Sequence, residues 1–104
     1  MSKALRRLLF SALVVLATAS PSLAADAGHG KEIAMRWCAS CHLVERGQTG
    51  ATGRAPPFAY LATLPGFDAN TLAFLLLQPH PNMPNVSLNR ADVGDLTDYI
   101  QSLK

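Results

Sequence analysis

The chain has 104 residues, about half of them hydrophobic, with 9 basic side chains, 7 acidic ones and 2 cysteines, which is room for one domain. Three of the basic residues, Lys3, Arg6 and Arg7, fall in the first ten positions, so the remainder lacks the basic stripe of a nucleic-acid-binding surface. The longest apolar run after Ala25, Leu72 to Leu77, is far below the ~20 residues of a membrane-spanning helix and reads as the core face of an ordinary one.

The opening, MSKALRRLLFSALVVLATASPSLAADAG, places positive charge ahead of an apolar run from Leu8 to about Ala19, then a breaker at Pro21 and small residues at Ser22 and Ala24. This is the layout of a secretory signal peptide. The runner-up is an uncleaved membrane anchor, for which the apolar run is shorter than the ~20 residues of a span. Cleavage after Ala24 divides the chain into a leader, 1–24, and a domain, 25–104, with six basic residues against seven acidic. The expected product is exported to the periplasm and carries a net charge of about −1.

Within the domain, Asp26 is placed to cap a helix running through Trp37, with Gly30, Ile33, Ala34 and Trp37 on one face. A Gly- and Pro-rich loop follows from Gly47 to Pro57. Phe58 to Leu64 reads as a short helical turn closed by Pro65 and Gly66. Asp68 or Asn70 caps the next helix, which Pro79 ends. Pro79 to Pro84, PHPNMP, is a stiff loop. The last helix is capped by Asn89 with Asp92 three residues on, stapled by Leu88 against Val93. Its apolar stripe is Val93, Leu96, Ile100 and Leu103, with Tyr99 at the edge. No stretch alternates as a strand does. The expected fold is all-α, three to five helices joined by long loops. A domain of this size buries only about 60 % of its unfolded surface, and a Cys38–Cys41 bridge would close too small a loop to compensate. Something else must supply part of the interior.

The string WCASCH, residues 37–42, admits several chemistries. A thioredoxin-like dithiol belongs at a helix start after a strand, whereas this pair ends a helix that no strand precedes. A structural zinc site needs four N or S ligands; Cys38, Cys41, His42 and a distant His29 or His80 can be counted, but adjacent Cys41 and His42 are awkward for one tetrahedron. A plain disulfide is the bland reading for an exported protein. The complete C-x-x-C-H string favours covalent haem attachment. Thiols at i and i+3 on a helical turn face the same way and can both reach the vinyl groups on one edge of the macrocycle, while the next residue holds an imidazole beneath the iron.

What fills the sixth position decides whether such iron binds ligands or passes electrons. Met35 precedes Cys38 by three residues and is a surface or packing residue. Met83 lies 41 residues beyond His42 in the proline loop, a separation that lets the chain wrap to the opposite face. His80 is the alternative ligand and would give a bis-histidine centre. His29 reads as a solvated first-turn residue, and Arg54 as a haem-propionate partner or a solvated charge.

Together the strings GKEIAMRWCASCH, APPFAYLA, NMP and LNRADVGDLTDYIQSL, in this order, resemble a class I cytochrome c over essentially the whole domain. That resemblance implies the cytochrome c fold, with the terminal helices crossing at Gly30 against Leu96 and Tyr99. It implies one covalently bound haem c held by Cys38 and Cys41, with His42 and Met83 as iron ligands. It also implies a proline carbonyl, Pro56 in preference to Pro57, accepting the hydrogen bond of the proximal imidazole, and Phe58 packing on the haem. The family often has an aromatic residue at the position of Ala34, so Trp37 or Ile33 is expected to fill that space. The implied function is a monomeric, exported electron carrier that is not an enzyme. Its partners would be redox proteins such as a dehydrogenase, a cytochrome complex or an oxidase. A dedicated subunit of one such enzyme and a haem-based ligand sensor are the alternatives.

Overall fold

The Asp26 carboxylate accepts the His29 amide proton at 3.1 Å, relieving one of the unpaired N–H groups at a helix start. Helix α1, Ala27–Trp37, grows from this cap. Pro57, extended at φ −60° and ψ 143°, leads into the four-residue α2, Phe58–Leu61; turns then carry the chain through Gly66, whose φ of 68° suits glycine. The helical turn expected from Phe58 to Leu64 therefore closes earlier. Asp68, and not Asn70, caps α3, Ala69–Leu77, by accepting from the Thr71 amide at 2.8 Å and the Thr71 hydroxyl at 2.9 Å. Helix α4, Arg90–Gln101, opens with a complete capping box between Asn89 and Asp92. This computed structural model describes residues 2–3, 24–51, 54–78 and 83–104. The apolar run from Leu8 to Ala19, together with Pro79, His80, Pro81 and Asn82 of the expected proline loop, lies outside them. Among the described residues there is no strand, and the fold is all-α as expected. No helix of the described residues is long and apolar enough to cross a membrane.

Helices α1 and α4 meet backbone to backbone. A Cβ at Gly30 would fall inside the Asp95 carbonyl and 2.9 Å from the Leu96 amide nitrogen. The closest contact is thus with the main chain of Asp95 and Leu96. Around the crossing, Ile33, Ala34, Val93, Leu96 and Ile100 are buried and join Val44, Phe58, Ala62, Phe67 and Leu72 in one core.

Two apolar patterns behave differently from expectation. Trp37 leaves the α1 stripe and is 53 % exposed, while Ile33 takes the core position at 7 %. Trp37 lies seven residues, roughly 10 Å of helix, beyond the contact at Gly30, and there it borders an open cleft with Ile33, Ser87 and Leu88. In α3 only Leu72 is buried, whereas Phe74 is 61 % and Leu77 85 % exposed. The stripe Ala69, Leu72, Ala73 and Leu76 packs on the core; a continuous apolar run passes right round a helix and cannot all face one way.

A polar clamp secures the crossing. Asp95 accepts the Asp26 amide at 2.7 Å, and its other oxygen meets His29 Nδ1 at 2.7 Å. His29 is therefore paired, not merely solvated. The hydrogen bond to Asp95 raises the His29 pKa above its ordinary 6.5; hydrogen bonds from the Asp26 amide and then His29 hold Asp95 below its ordinary 3.8. A raised histidine contributes stability that is full below 6.5 and lost as pH climbs through the folded value; a lowered carboxylate contributes above 3.8 and loses it as pH falls through its folded value.

Two outcomes are expected. Gly30→Ala should destabilise the protein by about 1–3 kcal/mol or more, because the new methyl meets backbone that cannot rotate away, as read from the chemical-denaturation midpoint. In the same assay, the wild type should lose stability as pH rises above 6.5 by an increment missing from His29→Ala; equal pH profiles would show that the clamp carries no charge.

Candidate functional site

The chain leaves α1 through a tight turn in which the Cys41 and His42 amides donate to Cys38 O at 3.2 and 2.9 Å. Three successive carbonyls after it then find partners from three parts of the sequence. His42 O accepts from Gln48 Nε2 at 2.9 Å, Leu43 O from the Phe58 amide at 2.9 Å, and Val44 O from the Tyr99 hydroxyl at 2.6 Å. The loop is thereby tied to the following segment, to α2 and to α4, which accounts for its otherwise unpaired backbone groups.

This framework gathers five of the residues singled out in the sequence: His42, Pro56, Phe58, Cys38 and Cys41. His42 Nδ1 lies 2.7 Å from Pro56 O. The Pro57 carbonyl instead accepts the Tyr60 and Leu61 amides at the start of α2. Phe58, buried at 4 %, sits with its ring centroid 5.3 Å from that of His42 at an angle of 48°. Cys38 is buried and Cys41 half-buried, and neither is in a disulfide. Met83 is half-buried at the head of the irregular segment that leads into α4; among the described residues no hydrogen bond, ion pair or ring contact joins it to the His42 cluster. Arg54 is exposed, as are Met35 and Trp37.

The chemistry of this donor set discriminates among readings of the cysteine pair. A carbonyl can only accept, so the 2.7 Å contact puts the proton of a neutral His42 on Nδ1 and leaves the Nε2 lone pair free to bind a metal. Burial pushes the Cys38 thiol up to about 11, the opposite of the lowered pKa that a reactive dithiol requires. Among the described residues no cluster of three or more His, Cys, Asp or Glu side chains could hold a metal ion. An unpaired C-x-x-C followed by an imidazole with its far nitrogen available is a donor set that fits covalent haem.

Nothing local in the sequence signals the parts that Gln48 and the Tyr99 hydroxyl play here. Gln48 sits between Gly47 and Gly50 in a loop that composition marks only as irregular. Tyr99 is expected at the edge of the α4 stripe, yet it is 7 % exposed and its hydroxyl donates to Val44 O.

Comparison with known proteins agrees with this chemistry. The family model described as Cytochrome c matches residues 27–104. The chain is 51 % identical over 92 residues to a cytochrome c-552 of Bradyrhizobium diazoefficiens, covering 88 % of each chain. No solved structure matches. From α1 to its final residue, the chain belongs to the cytochrome c family, as a small class I c-type cytochrome with one covalently bound haem c as its cofactor.

Proposed function

We propose that the protein is an exported monohaem electron carrier with His42 and Met83 as axial ligands and Cys38 and Cys41 as the thioether anchors. When bound, the haem supplies a one-electron couple between ferric and ferrous iron. The observation that carries this reading is the His42–Pro56 contact of 2.7 Å, which occupies Nδ1 and leaves Nε2 as the ring's metal-binding nitrogen, one residue after an unpaired cysteine pair. Pro56 orients the ring and raises its basicity; Phe58 restricts its tilt by packing beside it. Met83 contributes a soft thioether, which favours the ferrous state and raises the potential. Burial acts in the same direction, because a low-dielectric pocket disfavours the extra positive charge of the ferric state. With both positions filled in both states, no site remains open for a substrate.

Residues 1–24 act in this reading as a cleaved leader, and the domain from Ala25 works in the periplasm. Its partners are redox proteins that dock transiently, with the small interface of a redox encounter. All 13 charged side chains of the domain lie outside Ala69–Asn89, so the segment containing α3 and Met83 carries no formal charge apart from His80 when protonated. Long-range steering at that side is accordingly weak.

Oxidised protein is expected to show the weak sulfur-to-iron charge-transfer absorption, and Met83→Ala to abolish it while intact mass retains the residues 25–104 chain plus one haem. Survival of the band in the variant would move the ligand elsewhere, His80 being the first place to look if the band is absent from the wild type as well. Rapid carbon monoxide binding by reduced wild-type protein at neutral pH would replace the carrier with a ligand-binding function.

A further inference from the structure

A single side chain grips the backbone on both sides of His42. The Gln48 carboxamide accepts the Val44 amide through Oε1 at 2.8 Å and donates through Nε2 to Ala39 O at 2.8 Å and His42 O at 2.9 Å. Both amide protons and one acceptor site are used. All three partners fall between residues 39 and 44, the stretch that contains Cys41 and His42. Gln48 is half-buried, so water competes less for these groups than it would on an open surface.

We propose that Gln48 is a positioning residue for the His42 imidazole and, through it, for the reduction potential of the iron. The inference rests on the reading of His42 as an iron ligand and goes beyond it. His42 is held at two points: its carbonyl by Gln48, and its ring by Pro56. The ring swings about side-chain torsions that start from the backbone, so the Nδ1–Pro56 bond keeps its length only while the His42 peptide keeps its plane. Release of the His42 carbonyl lets that plane rotate and stretches the bond to Pro56. A weaker bond at Nδ1 makes Nε2 a poorer electron donor, which favours ferrous iron and raises the potential. Few side chains can substitute. The role needs one acceptor and two donors at the end of a three-carbon reach; an ionised glutamate has no donor, and methionine has no donor and only a weakly accepting sulfur.

The test uses the mature holoprotein and two readouts: the reduction potential, and the hyperfine-shifted His42 ring resonances of the ferric form. Gln48→Met removes all three bonds at similar volume and without adding charge. It is expected to raise the potential and displace the His42 resonances while the Met83 charge-transfer band persists. Gln48→Glu keeps the Val44 bond, deletes both donations, and should displace the same resonances in the same direction. If Gln48→Met does not fold, the Gln48→Glu resonances decide the matter. Wild-type potential and resonances, with only a lowered denaturation midpoint, would reduce Gln48 to a loop staple and overturn the inference. Wild-type spectra that contain no coordinated His42 resonances would instead defeat the ligand assignment, and the inference with it.

Discussion

Two helices that touch backbone to backbone leave no freedom in how the rest of the chain is arranged. At Gly30 the absence of a side chain lets α1 lie against the Asp95 and Leu96 main chain, and burial of Ile33, Ala34, Leu96 and Ile100 around that point supplies the apolar driving force. The segments that meet are 69 residues apart at the Asp26–Asp95 bond, so the crossing closes almost the entire domain into one loop. Everything between must return within that loop. Tyr99 can reach Val44 across 55 positions, and Gln101 can reach Phe67 across 34, only because α4 is already fixed against α1.

The same closure explains how a loop with little regular structure holds a histidine still. Between the end of α1 and the start of α2, order comes from side chains and amides that approach from outside. Gln48, the Phe58 amide and Tyr99 take the carbonyls of His42, Leu43 and Val44 in turn. Each bond contributes only about 1 kcal/mol net, but an orphaned buried carbonyl costs about 1–3 kcal/mol, so the three act chiefly by making every other loop geometry worse. Rigidity at His42 is thus a property of the terminal-helix crossing transmitted through Tyr99, and of the loop itself through Gln48.

Legibility in the sequence followed the range of each interaction. Asp26, Asp68 and the Asn89–Asp92 box act within four residues, so their chemistry can be read directly from spacing. The C-x-x-C-H string carries its meaning within five residues. The Asp95 clamp on His29, the Tyr99–Val44 bond and the Gln48 grip depend on which segments the fold brings together, and no local pattern encodes them. Trp37 shows the complementary failure: its helical phase matches the buried face, but phase does not say where the partner helix ends. In α3 the uninterrupted apolar run hides which third of the circumference faces inward, and only the packing of Leu72 and Leu76 reveals it.

The adjacent prolines of APPF show how two similar residues acquire different roles. Neither has an amide proton to offer, so each contributes a carbonyl and a fixed φ. The Pro57 carbonyl is taken by Tyr60 and Leu61 as α2 begins, and this starts the turn that brings Phe58 against the His42 ring at 5.3 Å. Pro56, two residues before the first residue of α2, has a carbonyl that no helical amide claims, and it meets His42 Nδ1 at 2.7 Å. The hydrogen bond and the aromatic contact on one imidazole are therefore consequences of a single helix start. Because the Phe58 amide also binds Leu43 O, that helix start is anchored to the residue next to the histidine it constrains. Under the proposed ligation, any change that slides α2 by one residue exchanges the carbonyl facing His42 and moves the aromatic ring at the same time, so a change made at α2 cannot alter the tuning of the imidazole by Pro56 without altering its packing too.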